Sequence, residues 1–287
     1  MAKMEEVSVR AHAKVNFTLD VTGRAGGYHL LDSLVCTVSL FDEVRARRRR
    51  DGALRLNVGG ADCEHIPPES NAARAARAFF QAFGGQGADI LIERHIPVGA
   101  GLGSSSADAA GVLLALARLY HIADMVRLKA IADGLGSDTG YLLTGGWARM
   151  TGRGELIERI ADMPRLDLLL LCPAAGTSTA QCFAEYDRRG EQFPPRTQAA
   201  IAALRAHGAG GAYALGNALT RAACACNALT AQALEEAARL SPSGCGVTGS
   251  GSACYAVFAG EEACLRARAA YRGTAAALCV HTTSGND

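Results

Sequence analysis

Aromatic residues are scarce in this chain: one tryptophan, seven tyrosines and eight phenylalanines among 287 residues. Surfaces that stack on nucleic-acid bases interleave aromatic with basic side chains, and no such interleaving occurs, even beside the run Arg45-Ala-Arg-Arg-Arg-Arg50. The net charge of +1 provides no general attraction to nucleic acid or to anionic membranes. No apolar run approaches the roughly 20 residues that span a bilayer. The opening Met1-Ala-Lys-Met-Glu-Glu holds no apolar core of signal-peptide type, so a cytoplasmic location is expected. Ten cysteines are present, yet they form no C-x-x-C pair and no histidine spacing accompanies them. Cys172, Cys254 and Cys279 fall in apolar stretches, where cysteine behaves as a small hydrophobe. Cys224 and Cys226 stand close in sequence but diverge on a helix. Buried or incidental thiols are therefore expected, and no disulfide framework.

What remains is an ordinary globular composition, 49% hydrophobic and 20% charged, long enough for two modest domains. One segment stands out. After the apolar alternation Ile90-Leu-Ile-Glu-Arg-His-Ile96 comes Pro97-Val98-Gly99-Ala100-Gly101-Leu102-Gly103-Ser104-Ser105-Ser106-Ala107, and then the apolar run Ala109 to Tyr120. The order reads strand, glycine-rich turn, helix. Three glycines let the backbone come close to a ligand, and the serines sit where an N-cap belongs. Amides and hydroxyls converging on a helix N-terminus make an anion site, with phosphate the usual anion. The segment is not a P-loop, because no lysine follows its last glycine. Gly244-Cys-Gly-Val-Thr-Gly249 matches the dinucleotide fingerprint literally, but it follows a Ser-Pro-Ser turn and leads into the strand-like Ala253 to Phe258. Its context excludes that reading.

Along the chain, residues 7–21 and Leu30 to Val44 read as strands. Asp51-Gly52 between the arginine run and Ala53 to Val58 predicts a hairpin. The arginines are then expected on a solvated edge strand. Asn71 to Phe83 reads as a helix capped by Ser70 or Asn71, and a further helix lies near Asp124 to Asp133. Asp162-Met-Pro-Arg165 divides the chain into domains 1–161 and 162–287. The strand Leu166 to Cys172, helices, and the later strands Ser252 to Phe258 and Ala275 to His281 make the second half an α+β layer pair.

Pro97-x-x-x-Gly-Leu-Gly-Ser-Ser-Ser resembles the phosphate loop of the GHMP kinases, which phosphorylate small molecules. Ala11-His-Ala-Lys-Val-Asn-Phe17, Gly23-Arg-Ala-Gly-Gly-Tyr-His29 and Leu135-Gly-Ser-Asp138 are similar to motifs of the branch acting on a cytidylyl methylerythritol. Val247-Thr-Gly-Ser-Gly-Ser252 looks like the superfamily's C-terminal glycine motif. These stretches extend over nearly the whole chain in family order. The resemblance implies a two-domain GHMP kinase fold, ribosomal-protein-S5-like in its first half and ferredoxin-like in its second. It implies ATP with Mg2+, a small-molecule substrate, and a monomer or homodimer without nucleic-acid or membrane partners. Another small alcohol as acceptor, or a nucleotide-binding sensor without turnover, are the alternatives.

Phosphoryl transfer needs held phosphates, positive charge over the migrating group and an activated acceptor hydroxyl. Lys14, beside Asn16 in an otherwise apolar alternating strand, is the candidate cation; a lysine pointing to water is the plainer alternative. Asp138, in the glycine-punctuated Gly134 to Gly140, serves equally well by spacing as a catalytic carboxylate or as the cap of a helix starting near Thr139. The resemblance places Asp138 on the family's catalytic aspartate and Lys14 on its partner lysine. It also places Asn16, Tyr28, His29 and Phe183 on substrate-binding positions, with Tyr28 and His29 at the cytidine end and Phe183 stacking on the base. From spacing, Phe183 reads as well as a core residue of the helix Thr179 to Arg188.

Four departures from the family pattern bear on this. Asp-Val-Pro is here Asp138-Thr139-Gly140, and Arg-x-Asp-Gly-Tyr-His is Arg24-Ala-Gly-Gly-Tyr-His29. Asp108 stands in the place of an asparagine, and His12 in the place of a proline.

Overall fold

Alternating apolar residues carry the first part of the chain into long paired strands. The computed structural model describes residues 6–59, 64–65, 67–85 and 87–285; residues 1–5 and Cys63 lie outside the described residues. The first half runs β1 (Glu6–Asn16), β2 (Thr18–Ala25), β3 (Tyr28–Arg48), β4 (Arg55–Gly59), β5 (Glu64–His65), α1 (Asn71–Phe83) and β6 (Ala88–Glu93). Then come α2 (Ser104–Leu119), α3 (Met125–Asp133), α4 (Thr139–Leu142), β7 (Ala148–Gly152) and β8 (Leu156–Arg159). Ser70 caps α1 through the Ala73 amide, and Asp124 caps α3 through the Arg127 amide. The second half opens with β9 (Asp167–Cys172), α5 (Thr179–Arg189) and α6 (Thr197–His207), followed by a 3-10 turn over Gly208–Ala214. It closes with β10 (Gly216–Asn217), α7 (Thr220–Cys226), α8 (Ala228–Arg239), β11 (Gly244–Val247), β12 (Cys254–Phe258), α9 (Glu261–Ala270) and β13 (Ala276–His281). Among the described residues no helix is long and apolar enough to cross a membrane.

Two sheets carry these elements. The larger has β3 at its centre, with β1, β2, β6 and β7 all antiparallel to it. The smaller is antiparallel in the order β11-β12-β9-β13. Helix α2 lies across β1 and β3, buried along nearly its whole length.

Asp51-Gly52 turns the chain but closes no hairpin. Strand β6 inserts between β3 and β4, antiparallel to the one and parallel to the other. The turn is pinned against the start of β6 instead: the Arg49 amide donates to the Gly87 carbonyl at 3.0 Å. At Gly87 a Cβ would stand 2.3 Å from the Ala53 carbonyl oxygen. Burial of Ile90 and Ile92 between β3 and β4 decides the pairing, which a local turn signal cannot do. Arg45, Arg47 and Arg48 accordingly lie in a central strand, not an edge, and Arg49 and Arg50 follow its end. Val44 and Ala46 face the core, while Arg45 pairs with Glu43 and Glu93 on the solvent face and Arg47 with Asp89.

The two halves share contacts that sequence spacing does not reveal. β10 pairs in parallel with Thr18 and Leu19 of β2. On β2, Asp20 Oδ2 accepts from the amides of Arg196 (2.8 Å) and Thr197 (2.9 Å), capping α6 from a remote strand. Alternate residues of β9 serve different cores: Leu168 and Leu170 pack with the first half, Leu169 and Leu171 with the helices of the second.

Candidate active site

The glycine loop joins β6 to α2. Gly99, Gly101 and Gly103 have φ of 71°, 78° and 77°, which L side chains rarely adopt. Gly103 itself is the N-cap of α2, in the left-handed conformation and without a side-chain bond. Ser104, Ser105 and Ser106 therefore form the first turn of the helix, not its cap as their spacing suggested. Their amides belong to the helix end where negative charge is favoured.

The need for glycine at 101 also has a cause other than the expected approach of a phosphate. A Cβ there would lie 2.3 Å from the Thr248 carbonyl oxygen and 3.0 Å from that of Gly251. The loop between β11 and β12 packs directly on the glycine loop, with the Ala253 amide donating to the Ala100 carbonyl at 3.0 Å. The fingerprint-like Gly244 to Gly249 is thus strand and hairpin loop, and its service is to brace another loop.

Lys14, near the end of β1, lies beside this loop. The β1 register slips between His12 and Lys14, a bulge of the kind that re-aims side chains near functional sites. The Lys14 amide donates to the Leu102 carbonyl at 3.0 Å, and its stem lies beneath Gly103, where a Cβ would touch Lys14 Cγ at 3.1 Å. Lys14 is buried, not turned to water. Its ammonium donates to Asn16 Oδ1 and stands 3.3 Å from Asp138 Oδ2.

Asp138 precedes α4, yet its side chain makes no cap bond. Of the two readings open from spacing, the geometry keeps the carboxylate facing the lysine. A Cβ at Gly140 would meet only the ends of the exposed Asp133 and Lys129 side chains, which can turn aside, so packing does not demand the glycine that replaces a proline there. Asn16 is held on three sides: its amide donates to Thr248 Oγ1 (2.9 Å), its Nδ2 to Ser33 Oγ (2.8 Å), and its Oδ1 accepts from Lys14.

A second group forms where the β2–β3 hairpin meets α5. Gly26 and Gly27 both have positive φ, as a two-residue turn of the primed type requires. Tyr28 follows, 59% exposed, with the Arg153 guanidinium over its ring at 5.1 Å. His29 and Phe183 stack with ring centroids 4.5 Å apart and planes at 24°. At that separation a flat base cannot enter between them, so the Phe183 face that meets His29 is already occupied. His29 Nε2 lies 2.8 Å from Asp187 Oδ1, and Arg24 pairs with the same carboxylate. The His29 hydrogen bond, with help from Arg24, holds the Asp187 carboxyl below its ordinary range.

The structure brings Lys14, Asn16, Asp138 and the glycine loop to one place and His29 and Phe183 to another, while the Tyr28 ring lies apart from that stack, against Arg153. Ser33, Thr248 and Asp187 escaped the sequence reading as site residues. Asp187 lies one helical turn beyond Phe183, a spacing that signals a shared face. Thr248 lies within the glycine motif Val247 to Ser252, whereas Ser33 carries no such local signal.

A two-layer α+β fold around a buried lysine, a partly exposed aspartate beside it and a glycine loop at a helix N-terminus defines a small-molecule kinase of the GHMP class. Residues 70–146 match the GHMP kinases N terminal domain. The 4-diphosphocytidyl-2-C-methyl-D-erythritol kinase of Pelotomaculum thermopropionicum is 34% identical over 283 residues, 96% of this chain and 98% of that one. The enzyme of the same name from Cereibacter sphaeroides strain KD131 is 38% identical over 92% and 93% of the two chains. A crystal structure of a 4-(cytidine 5'-diphospho)-2C-methyl-D-erythritol kinase superposes with a TM-score of 0.81 at 31% identity, covering 96% of this chain and all of the other. The chain belongs to the 4-diphosphocytidyl-2-C-methyl-D-erythritol kinase family of the GHMP kinases.

Proposed function

We propose that this chain transfers the γ-phosphoryl group of ATP to the 2-hydroxyl of 4-diphosphocytidyl-2-C-methyl-D-erythritol. The observation that carries the reading is the 3.3 Å contact between Lys14 and Asp138, on a strand that hydrogen-bonds the glycine loop. In this reading Pro97 to Ala107 cradle the triphosphate, with the α2 N-terminus and the Ser104, Ser105 and Ser106 hydroxyls as donors. The Asp138 carboxylate accepts the proton of the substrate hydroxyl. That oxygen then bonds to the γ-phosphorus, and the bond to the β-γ bridging oxygen breaks, releasing ADP. Lys14 supports the negative charge spread over the migrating group. Asn16 holds Lys14 in place, and Tyr28 and His29 hold the cytidine end.

Magnesium binds oxygen ligands and keeps several from phosphate and water. The hard oxygen donors around the loop are the three serine hydroxyls and Asp138. No group of three His, Cys, Asp or Glu able to hold an ion occurs among the described residues. The ion would therefore be carried mainly on the phosphates, whose charge it offsets.

The test is ADP release with the cytidylyl substrate beside homoserine, mevalonate and galactose. Preference for any of the last three would overturn the assignment. Asp138→Asn should lower turnover by on the order of 100-fold or more, and Lys14→Met should also lower it. The double variant should lose little beyond the worse single one. Because the Asp138 side chain makes no cap bond, any change in the thermal stability of Asp138→Asn should come from its lost pairing with the buried Lys14.

A further inference from the structure

Behind the glycine loop sits a group that the proposed chemistry does not use. Asp42 on β3 and Asp108 on α2 are 0% and 1% exposed. Asp42 Oδ1 accepts from the amides of His95 (2.5 Å) and Ile96 (2.8 Å), the two residues that lead into the loop. Asp108 Oδ2 accepts from Arg94 Nη2 (2.7 Å) and Nε (3.0 Å). The remaining oxygens, Asp42 Oδ2 and Asp108 Oδ1, are buried and have no donor. Asp42 shares a strand face with Val44 and Asp108 shares a helix face with Gly111, and α2 rests on β3 at Gly111 and Val44, so the two carboxyls are neighbours. Two carboxylate oxygens cannot bond without a proton between them, and an unpaired buried charge is costly.

We infer that Asp42 and Asp108 share one proton, and that this acid pair is a positioning device tying the entrance of the glycine loop to the helix at its exit. Charge counting agrees. Arg94 pairs with Asp108, and no ion pair of Asp42 occurs among the described residues, so one negative charge is balanced and the other is removed by protonation. The other titratable neighbours are His95, whose ring meets Phe41 edge-on, and His12 on β1, which bonds the Val38 carbonyl through Nδ1. Arg10 lies over Phe41. Burial, the largest influence, pushes Asp42 up to about 7 and raises Asp108 as well. Above neutrality the shared proton is lost, the oxygens repel, and the two amides that Asp42 holds lose their fixed partner. The loop is then less well ordered for nucleotide.

The consequence for ATP rests on the proposed glycine-loop site, whereas the shared proton does not, so two measurements separate them. Infrared spectra of the full chain with isotope-labelled aspartate read the C=O stretch of a protonated carboxyl directly. The band should be present at about pH 6, fade above neutrality, and vanish in Asp42→Asn and in Asp108→Asn. Its absence from the unsubstituted protein, or its survival in both variants, would overturn the pairing. Calorimetric titration with MgATP reads the second part. The Kd should rise roughly tenfold between about pH 6 and 9, the equivalent of about one pKa unit of lost interaction. In Asp108→Asn, whose amide donates where the proton stood, that rise should be abolished. An equal rise in the variant, or no rise in the unsubstituted protein, would overturn the positioning function. A band that behaves as expected in a protein that binds no ATP would sink the nucleotide site and leave the acid pair standing.

Discussion

Gly101 and Thr248 meet from positions 147 residues apart, and their contact ties the glycine loop to its brace. Gly101→Ala adds a methyl 2.3 Å from a backbone oxygen at a positive φ, so the two loops must separate. The expected outcome is a lower unfolding midpoint together with weaker ATP binding, checked by thermal melts with and without nucleotide. Thr248→Val removes the hydroxyl that receives the Asn16 amide and should cost about 1 kcal/mol, with Thr248→Ser restoring it. His29→Ala should raise KM for the cytidylyl substrate and leave that for ATP nearly unchanged. Parallel movement of both constants would refute a base-specific function. Lys14, Asn16 and the glycine loop were legible because motif and resemblance coincide on them. Ser33 was not, since its contribution is a hydroxyl delivered from a remote strand, and Thr248 was legible only as part of a glycine motif. At Asp138 both readings demand the same residue at the same spacing, and only coordinates show the absent cap bond and the carboxylate facing Lys14.

Helix α2 owes its seat to a small residue. At Gly111 a Cβ would stand 2.7 Å from Val44 Cγ2 and 2.8 Å from Ala11 Cβ, so the helix rests on β1 and β3 with no room between. Gly111→Ala gains helix propensity of about 1 kcal/mol. Overpacking, at roughly 1–3 kcal/mol, should outweigh it. A destabilised variant in urea titration is expected; a stabilised one would mean that the helix can lift off the sheet freely. Asp20→Ala should cost about 1–2 kcal/mol by uncapping α6, although no residue near α6 in sequence announces that bond. Element type was readable where periodicity is strong, as in β9 and α2. Partnership was not. The Asp51-Gly52 turn is real, but which strand lies next to β3 depends on apolar residues from β6, beyond any local signal.

The sequence predicts a division near residue 162, yet contacts cross that point. Tyr255, fully buried, donates from its hydroxyl to the Phe17 carbonyl at 2.9 Å, and Phe17 packs in turn on Trp147. Three of the scarce aromatics, Phe17, Trp147 and Tyr255, thus meet where the first and second halves touch. Strand β9 does the same with aliphatic side chains, since its successive leucines belong to two different cores. Neither core can be exposed without unzipping the strand that the other needs. Unfolding should therefore be a single cooperative event, with fluorescence of Trp147 and far-ultraviolet dichroism following one curve in denaturant. The β9 amides should be among the slowest to exchange with deuterium, opening only with the full loss of structure. An early, separate melting of the second half would contradict this. A kinase built this way has no half that survives the loss of the other, so damage to either should remove nucleotide binding and acceptor binding at the same moment.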